Sequence, residues 1–299
     1  AFGDDAYEMY ERAPSNIEVS YPIRYGVIAD IQNMQTLLAK FIKKSKTNKS
    51  LIQSADFCIA VPTDITEVEK RAFYELILSS KVSAKKITIV EKPVADGVGV
   101  GIDINSPKGN MIVNVGADTT EISVLSLGGI VISKLVQIGG NRLDEMICSY
   151  VRKKYNLIIG EKTGETLKIK LASGMEEEET VFKVYGRDIV SGLPVEKEIS
   201  SSTVYSATIE ALQSIVTDVK FILERTPPEL AADIIDTGIF LTGGSSHIRN
   251  FNKLISRETE LKVNIPDNPS ECVVRGIAKI LSTHESSSLT YVPREKNIN

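Results

Sequence analysis

A short polar turn between two apolar strands is the segment of this sequence best suited to chemistry. Residues 111–129 read MIVNVGADTTEISVLSLGG. Small side chains in such a turn let backbone N–H groups and hydroxyls point at phosphate oxygens without obstruction. The residues that we expect at a phosphate are Asn114, Gly116, Ala117, Asp118, Thr119 and Thr120.

A second segment of the same kind lies later in the chain. Residues 239–246 read IFLTGGSS, an apolar strand followed by Gly243 and Gly244, and a glycine pair lets a ligand lie against the backbone. Either segment alone also fits an ordinary hairpin or turn. Two of them in one chain suggest two half-domains that close on one nucleotide.

Composition excludes several classes of protein. The chain has 299 residues, of which 42% are hydrophobic, so one or two domains with a large core are expected. Its net charge of −4, with both signs interspersed, argues against nucleic acid as a main partner. Three scattered cysteines indicate reduced core thiols, and no apolar run reaches the ~18 residues of a membrane span. A cytoplasmic protein is predicted.

Alternating strands and helices predict a layered α/β fold. Strands are expected at 57–61, 87–90, 111–136 and 239–242. The helices are expected at 1–12, 34–43, 63–79, 93–100, 141–155, 163–171, 202–224, 250–259 and 270–281. Residues 175–198 are expected to form a small hairpin.

Seven collinear segments of the chain resemble the MreB family of bacterial actins. They are GVIADI, VPTDITEVEKRAF, NVGADTTEISVLSLGGIV, IGGNRLDEMICSYVRKKYNLIIGEKT, GRDIVSGLP, ERTPPELAADIIDTGIFLTGG and ECVVRGIAKIL. The resemblance implies the α/β, actin-like ATPase (ribonuclease H-like) fold, with two domains around a nucleotide cleft.

The resemblance also implies a division into subdomains. The expected parts are 1–25 as a remnant of subdomain IB, 26–108 as IA, 109–141 and 211–268 as IIA, 142–210 as IIB, 269–283 as a C-terminal helix returning to IA, and 284–299 as a disordered tail. The Asp-x-Gly-Thr loop that holds phosphate near the N-terminus of relatives has no match here. The sequence is therefore expected to be a fragment.

The family's nucleotide site can be carried over onto this sequence. The second phosphate loop falls on 114–120, and Gly139 and Gly140 match the doublet near the sugar and phosphates. Gly243 and Gly244 match the segment beneath the nucleobase or its ribose. Glu165 and Lys168 match a pair at the adenine–ribose side, although an ordinary surface ion pair between i and i+3 explains them as well. The implied cofactors are ATP and Mg²⁺, the metal being held through the nucleotide.

Three residues depart from the family pattern around the phosphates. Asn114 replaces an Asp, and an amide contributes no charge towards Mg²⁺, so metal binding is expected to weaken. Asp118 adds negative charge near phosphate oxygens. Lys92 replaces the Glu that orients the attacking water, while Thr119 matches the retained water-positioning Thr. Without that carboxylate, hydrolysis is expected to slow by roughly 10²–10⁴. A harmless surface lysine is the alternative for Lys92.

The resemblance implies an ATP-binding protein that polymerises into paired protofilaments at the inner face of the cytoplasmic membrane. The filaments are expected to serve cell shape or motility, and ATP hydrolysis is expected to be weak. Leu51 and Ile52, among several lysines, match a hydrophobic loop through which relatives contact the membrane; a solvated loop is the alternative. Other readings are a nucleotide-bound scaffold that never cycles, or an active ATPase of chaperone or sugar-kinase type. The short tail leaves no room for a chaperone's substrate domain, and the cleft residues offer no kinase acid.

Overall fold

The computed structural model describes residues 1–45, 55–80, 84–283 and 286–293. They belong to two compact units, the first formed by 1–92 with 277–299 and the second by 93–276. Among the described residues, no helix has the length and apolar character that crossing a membrane requires.

The first unit is built on a pair of parallel strands. β-Branched and aromatic residues are well represented in both strands, and Val61 and Ile89 from them pack with Phe73 in a small core. The elements of this unit are α1 (Asp4–Met9), β1 (Ile23–Arg24), β2 (Val27–Ile28), α2 (Ile31–Lys44), β3 (Ala55–Val61), α3 (Glu67–Ser79) and β4 (Ala84–Glu91).

Helix α3 begins at Glu67, four residues after the predicted start at 63. The Thr66 hydroxyl accepts a hydrogen bond from the Glu69 backbone N–H, and the Glu69 carboxylate accepts one from the Thr66 N–H, which completes a capping box. Both orphan donors at the helix start are thereby satisfied, so the helix starts after Thr66 rather than at Thr63.

The described end of the chain is ordered, in contrast to the predicted disordered tail. Residues Ser286–Leu289 form a short helix (α11), and Tyr291 exchanges two backbone hydrogen bonds with Ile89 of β4. The Tyr291 hydroxyl also donates to Glu91 at 2.7 Å. A prediction from polar composition could not identify this segment as ordered, because its order depends on the edge of β4, which lies 200 residues earlier in the chain.

The second unit centres on a five-stranded sheet of order β12-β11-β5-β6-β7. The first three strands run parallel, and the last two continue antiparallel as the predicted hairpins. Every residue of β5 and β6 is buried, including the polar residues Asn114, Glu121 and Ser123. The sheet strands are β5 (Asn110–Val115), β6 (Thr120–Ser126), β7 (Gly129–Val136), β11 (Ile239–Thr242) and β12 (Val263–Asn264).

Helices and a second sheet surround this one. A predicted hairpin excursion is confirmed as the pair β9–β10, which β8 extends to three strands. The remaining elements are α4 (Lys92–Val100), α5 (Gly140–Tyr155), β8 (Leu157–Ile158), α6 (Glu161–Leu171), β9 (Val181–Asp188), β10 (Pro194–Ser200), α7 (Ser201–Arg225), α8 (Pro228–Thr237), α9 (Phe251–Thr259) and α10 (Cys272–Ser282). The sequence prediction omitted α8, treating its opening prolines only as the end of α7, although Pro is favoured in a first helical turn.

Helix α4 packs closely against the start of α10 within the second unit. A Cβ on Gly99 would lie 1.8 Å from the carbonyl oxygen of Cys272, and one on Gly276 would lie 1.6 Å from that of Ala95. The two backbones touch where each helix carries a glycine, so residues 93–100 are joined to 272–276 rather than to the first unit.

Candidate functional site

The polar turn is the tight connection between β5 and β6. Val115 pairs with Thr120, and the Gly116 N–H donates to the carbonyl oxygen of Thr119 at 2.9 Å, which closes the turn. Ala117 at its tip is exposed, Asp118 is half-buried, and Thr119 is buried. The predicted phosphate loop is thus a rigid hairpin turn with an accessible tip.

Two other segments converge on this turn. The N–H groups of Gly140 and Asn141, at the start of α5, donate to the carbonyl oxygens of Gly116 and Ala117 at 3.0 and 2.7 Å. The Ser245 hydroxyl, after the second glycine pair, donates to the Gly116 carbonyl at 3.1 Å. The structure therefore brings together three segments that the sequence predicts as parts of one site.

The four glycines of the two predicted doublets serve different purposes. A Cβ on Gly139 would lie 2.5 Å from the Ala117 carbonyl oxygen, and one on Gly243, whose φ is +84°, would lie 2.3 Å from that of Val115. These two glycines allow backbone to approach backbone. A Cβ on Gly140 would meet polar side-chain atoms at 3.0 Å, whereas Gly244 faces open space.

Two side chains of the turn are engaged within the protein. The Thr120 hydroxyl donates its one hydrogen to the Ile138 carbonyl at 2.7 Å, so the predicted donation from this side chain to a phosphate is not available in this conformation. The Asp118 carboxylate accepts a hydrogen bond from Asn141 Nδ2 at 2.7 Å. That contact fixes the carboxylate beside the helix start, where the dipole of α5 favours negative charge.

Asn114 lies at the end of β5 in a buried polar cluster. Its Nδ2 donates to Asp96 Oδ2 at 2.7 Å and to Thr242 Oγ1 at 3.1 Å, and Thr242 Oγ1 donates to the same carboxylate oxygen at 2.5 Å. Asn114 and Thr242 are partners in the β5–β11 register, which places them side by side. The sequence analysis missed Asp96 and Thr242, although a lone carboxylate in the apolar run PVADGVG was a usable signal.

Lys168 on α6 points at the start of α5. Its Nζ donates to Asp144 Oδ2 at 2.7 Å and to the Gly140 carbonyl at 2.9 Å. Lys168 therefore forms its ion pair with the buried Asp144, a residue that was not predicted from the sequence. The alternative prediction, an ordinary surface ion pair between Lys168 and Glu165, does not describe this contact. Glu165 is half-buried on the same helix.

The environment of Asp144 is unusual for a carboxyl group. Burial raises its pKa from the ordinary value of 3.8 to about 6, against the opposing effect of the Lys168 charge. Its Oδ1 has no hydrogen-bond partner among the described residues. Together Asp144 and Lys168 form a polar layer behind the glycine doublet.

Lys92 and Glu91 stand at the junction of β4 and α4. Lys92 is half-buried and is the first residue of α4, in the first unit. The Glu91 carboxylate accepts hydrogen bonds from Lys70 Nζ at 3.0 Å and Tyr291 Oη at 2.7 Å. Glu91 is thereby occupied within its own unit.

Two further predictions concern the membrane loop and the metal ion. Leu51 and Ile52, the candidate membrane loop, lie outside the described residues. Within the described ranges, no group of three or more His, Cys, Asp or Glu side chains is placed to hold a metal ion.

The donors around the turn nevertheless suit nucleotide phosphates accompanied by Mg²⁺. Gly139, the N-cap of the 16-residue helix α5, makes no side-chain cap hydrogen bond, and such a helix start attracts anions. Lys168 and Asn141 lie beside it. Mg²⁺ keeps several water ligands and takes the rest from phosphates and a few protein oxygens, so a cage of carboxylates is not required.

Comparison with known proteins identifies relatives of this chain. The family model described as MreB/Mbl protein matches residues 1–288. The cell shape-determining protein Mbl of Bacillus subtilis is 38% identical over 282 residues, which cover 94% of this chain and 84% of Mbl. 

Solved structures agree with that result. MreB5 of Spiroplasma citri bound to ADP is 33% identical, with a TM-score of 0.89 over 96% of this chain and 86% of MreB5. Its structure bound to AMPPNP is 34% identical with a TM-score of 0.90 and the same coverage. A MamK double helical filament, at 21% identity and a TM-score of 0.79 over 95% of this chain and 85% of MamK, shares the fold. The predicted actin-like fold is confirmed, and with a family match across almost its whole length the chain belongs to the MreB/Mbl family.

Proposed function

We propose that this protein binds ATP with Mg²⁺ at the β5–β6 turn and assembles into cytoskeletal filaments that serve cell shape or motility. The observation that carries the proposal is the convergence of the turn, the start of α5 and the segment after β11 on the Gly116 and Ala117 carbonyls. MreB5, which is similar over nearly the whole chain, is known with ADP and with AMPPNP.

Each part of the site has a distinct task in this proposal. The N–H groups of Gly140 and Asn141 are held by the turn carbonyls, so the start of α5 contributes the positive end of its dipole to phosphate oxygens, and the exposed tip at Ala117 gives access to it. Lys168 supplies a nearby positive charge, held in place by Asp144. Mg²⁺, when bound with the nucleotide, neutralises phosphate charge, and Asn114 offers it only a neutral acceptor.

Self-assembly follows from the fold that the chain shares with filament-forming proteins. MamK has been solved as a double helical filament, so this fold is compatible with such an assembly. We expect ATP to favour the polymerising state by binding it more tightly than the monomer, which is a population shift. Paired protofilaments at the inner face of the cytoplasmic membrane are the arrangement we propose.

The test compares two charge insertions at exposed turn residues of the same sheet. Ala117→Glu places a carboxylate at the tip of the proposed phosphate turn, whereas Leu127→Glu places one at the β6–β7 turn, where the native side chain is 72% exposed. We expect Ala117→Glu to weaken ATP binding at least about tenfold and to abolish ATP-dependent pelleting, with Leu127→Glu unchanged. Absence of ATP binding by the unaltered protein would refute the proposal.

Hydrolysis is proposed to be weak because of two residues. Lys92 occupies the position of the family's water-orienting Glu, and a protonated amine cannot accept a proton from water. Asn114 lacks the charge of the family Asp. Polymer that forms with ATP while phosphate release stays at background would identify a scaffold that does not cycle; release at an ordinary rate would identify a cycling ATPase.

Membrane contact is proposed for Leu51 and Ile52, which the sequence sets among lysines. Each lysine near an anionic surface contributes about 1 kcal/mol, and weak contacts add along a filament. Replacing both aliphatic residues with Ser is expected to reduce co-sedimentation of filaments with anionic liposomes. Unchanged co-sedimentation would exclude insertion by this loop.

A further inference from the structure

The carboxylate of Asp96, buried beneath the phosphate turn, has no role in the nucleotide binding proposed above. Asp96 lies on α4 with no solvent exposure, and its Oδ2 accepts hydrogen bonds from Asn114 and Thr242. Burying a charge is costly unless it is hydrogen-bonded, so its presence in an otherwise apolar helix calls for a reason. Asn114, which donates a hydrogen bond to Asp96, is the first residue of the predicted phosphate loop.

The hydrogen bonds determine which way the Asn114 amide faces. Asp96 Oδ2 accepts a hydrogen bond from Asn114 Nδ2, so the Asn114 amino group faces Asp96. Thr242 gives its one hydrogen to Asp96 and therefore accepts the other Nδ2 hydrogen of Asn114. With both amino hydrogens taken, the remaining polar atom of Asn114 is Oδ1.

That oxygen lies on the side of the turn. Asn114 Oδ1 is 3.9 Å from the position that a Cβ would occupy on Gly116. Without Asp96, the amide could rotate and present its amino group there instead. Hydrogen-bond donors bound at the turn, such as water on a metal ion, need the oxygen and are repelled by the amino group.

We propose that Asp96 is a positioning residue for the proposed nucleotide site: it fixes Asn114 with Oδ1 towards the turn and supplies, one layer below, the negative charge that Asn114 lacks. The ligand served is a hydrated divalent cation that accompanies nucleotide phosphates. The inference rests on the proposed ATP binding but assigns the orientation of Asn114 to a residue outside the turn.

The experiment exchanges the two side chains. Asn114→Asp alone places two carboxylates at hydrogen-bond distance, and we expect the thermal unfolding midpoint of the ligand-free protein to fall on the order of 5 °C. Asp96→Asn alone removes the charge that orients the amide. The double variant D96N/N114D restores an amide-to-carboxylate hydrogen bond with the roles exchanged, and we expect its midpoint to recover most of that loss.

A second readout separates positioning from a purely structural role. We would measure the factor by which Mg²⁺ tightens ATP binding, using ATP with Mg²⁺ and ATP with EDTA. Asp96→Asn is expected to lower this factor several-fold, and D96N/N114D to raise it about tenfold above the unaltered protein, because a carboxylate then faces the turn. Ser123→Ala, which alters a buried hydroxyl in the middle of β6, is the control expected to leave the factor unchanged.

The outcomes are distinguishable. The inference is supported if the double variant recovers the thermal unfolding midpoint and if the Mg²⁺ factor falls in Asp96→Asn and rises in D96N/N114D. Independent effects of the two substitutions, or an equal Mg²⁺ factor in all variants that bind ATP, overturns it while leaving the proposed function intact. If the unaltered protein binds no ATP, the proposed function fails and the positioning role fails with it, although the midpoints still report the contact between the two side chains.

Discussion

The backbone of Gly139 lies against the carbonyl of Ala117, so near that a Cβ on Gly139 would be 2.5 Å from the carbonyl oxygen. This contact seats the start of α5 on the tip of the phosphate turn. The N–H of Asn141, two residues later, reaches the same carbonyl at 2.7 Å. The geometry of the turn therefore depends on a residue outside it.

Replacing Gly139 with Ala is expected to weaken both the fold and the site. The added methyl group forces α5 and the turn apart, which costs about 1–3 kcal/mol of unfolding free energy. We expect ATP affinity to fall at least about tenfold, since the helix start moves away from the turn. Gly129→Ala, at a glycine outside the proposed site, is the matched control, because the nearest atom to a Cβ there is the Ser126 carbonyl oxygen at 4.0 Å. Equal behaviour of the two variants in denaturant melts and ATP titrations would contradict the assignment.

Asp144 is expected to make stability depend on pH. Because its pKa rises from 3.8 to about 6 on folding, the folded protein keeps this proton at pH values where the unfolded chain has released it. The resulting stabilisation is fully present below about pH 4 and is lost as pH rises through about 6, a change of about 3 kcal/mol.

The measurement is urea unfolding of the native protein and Asp144→Asn from pH 4 to 7. The difference in unfolding free energy, native minus variant, is expected to decrease over this range. Asp188→Asn is a control of opposite sign, because hydrogen bonds from Ser191 lower the pKa of Asp188. A pH-independent difference for Asp144→Asn would show that the carboxyl is not destabilised by burial.

Tyr291 is expected to hold the C-terminal segment on β4. Burial and the hydrogen bond to Glu91 raise the pKa of Tyr291 to about 12, so the hydroxyl remains a donor at neutral pH. Tyr291→Phe removes that donor and is expected to cost about 1–2 kcal/mol. Faster hydrogen exchange at the Ile89 amide, which donates to the Tyr291 carbonyl at 2.8 Å, is the readout. Tyr74→Phe, in the same core, is the control, and equal exchange in both variants would refute the docking role.

Lys92 is expected to limit phosphate release. Lys92→Glu restores a carboxylate at the position of the family Glu, and we expect phosphate release from pelletable polymer to rise by roughly 10²–10⁴. Lys85→Glu, an exposed residue on β4, controls for the charge change. No rise in Lys92→Glu, with polymer still present, would mean that another group governs hydrolysis.

Local sequence predicted the features that neighbouring residues decide. The Thr66 cap acts within one helical turn, and the hairpin of residues 110–136 follows from apolar runs separated by short polar turns. The phosphate turn, the two glycine pairs and the helix at Gly140 were found in the same way. The resemblance then supplied the fold, because long collinear segments carry information that periodicity alone does not.

The tertiary structure decided how distant residues meet. Asn114 and Thr242 are neighbours because β5 and β11 pair in parallel at that register, and Asp96 reaches both because α4 packs in the same unit. No local pattern encodes such contacts, since they depend on strand order and helix packing over separations of up to 146 residues. The sequence by itself thus determined the parts of the site and their chemistry, whereas the packing of those parts decided which atoms each side chain still presents.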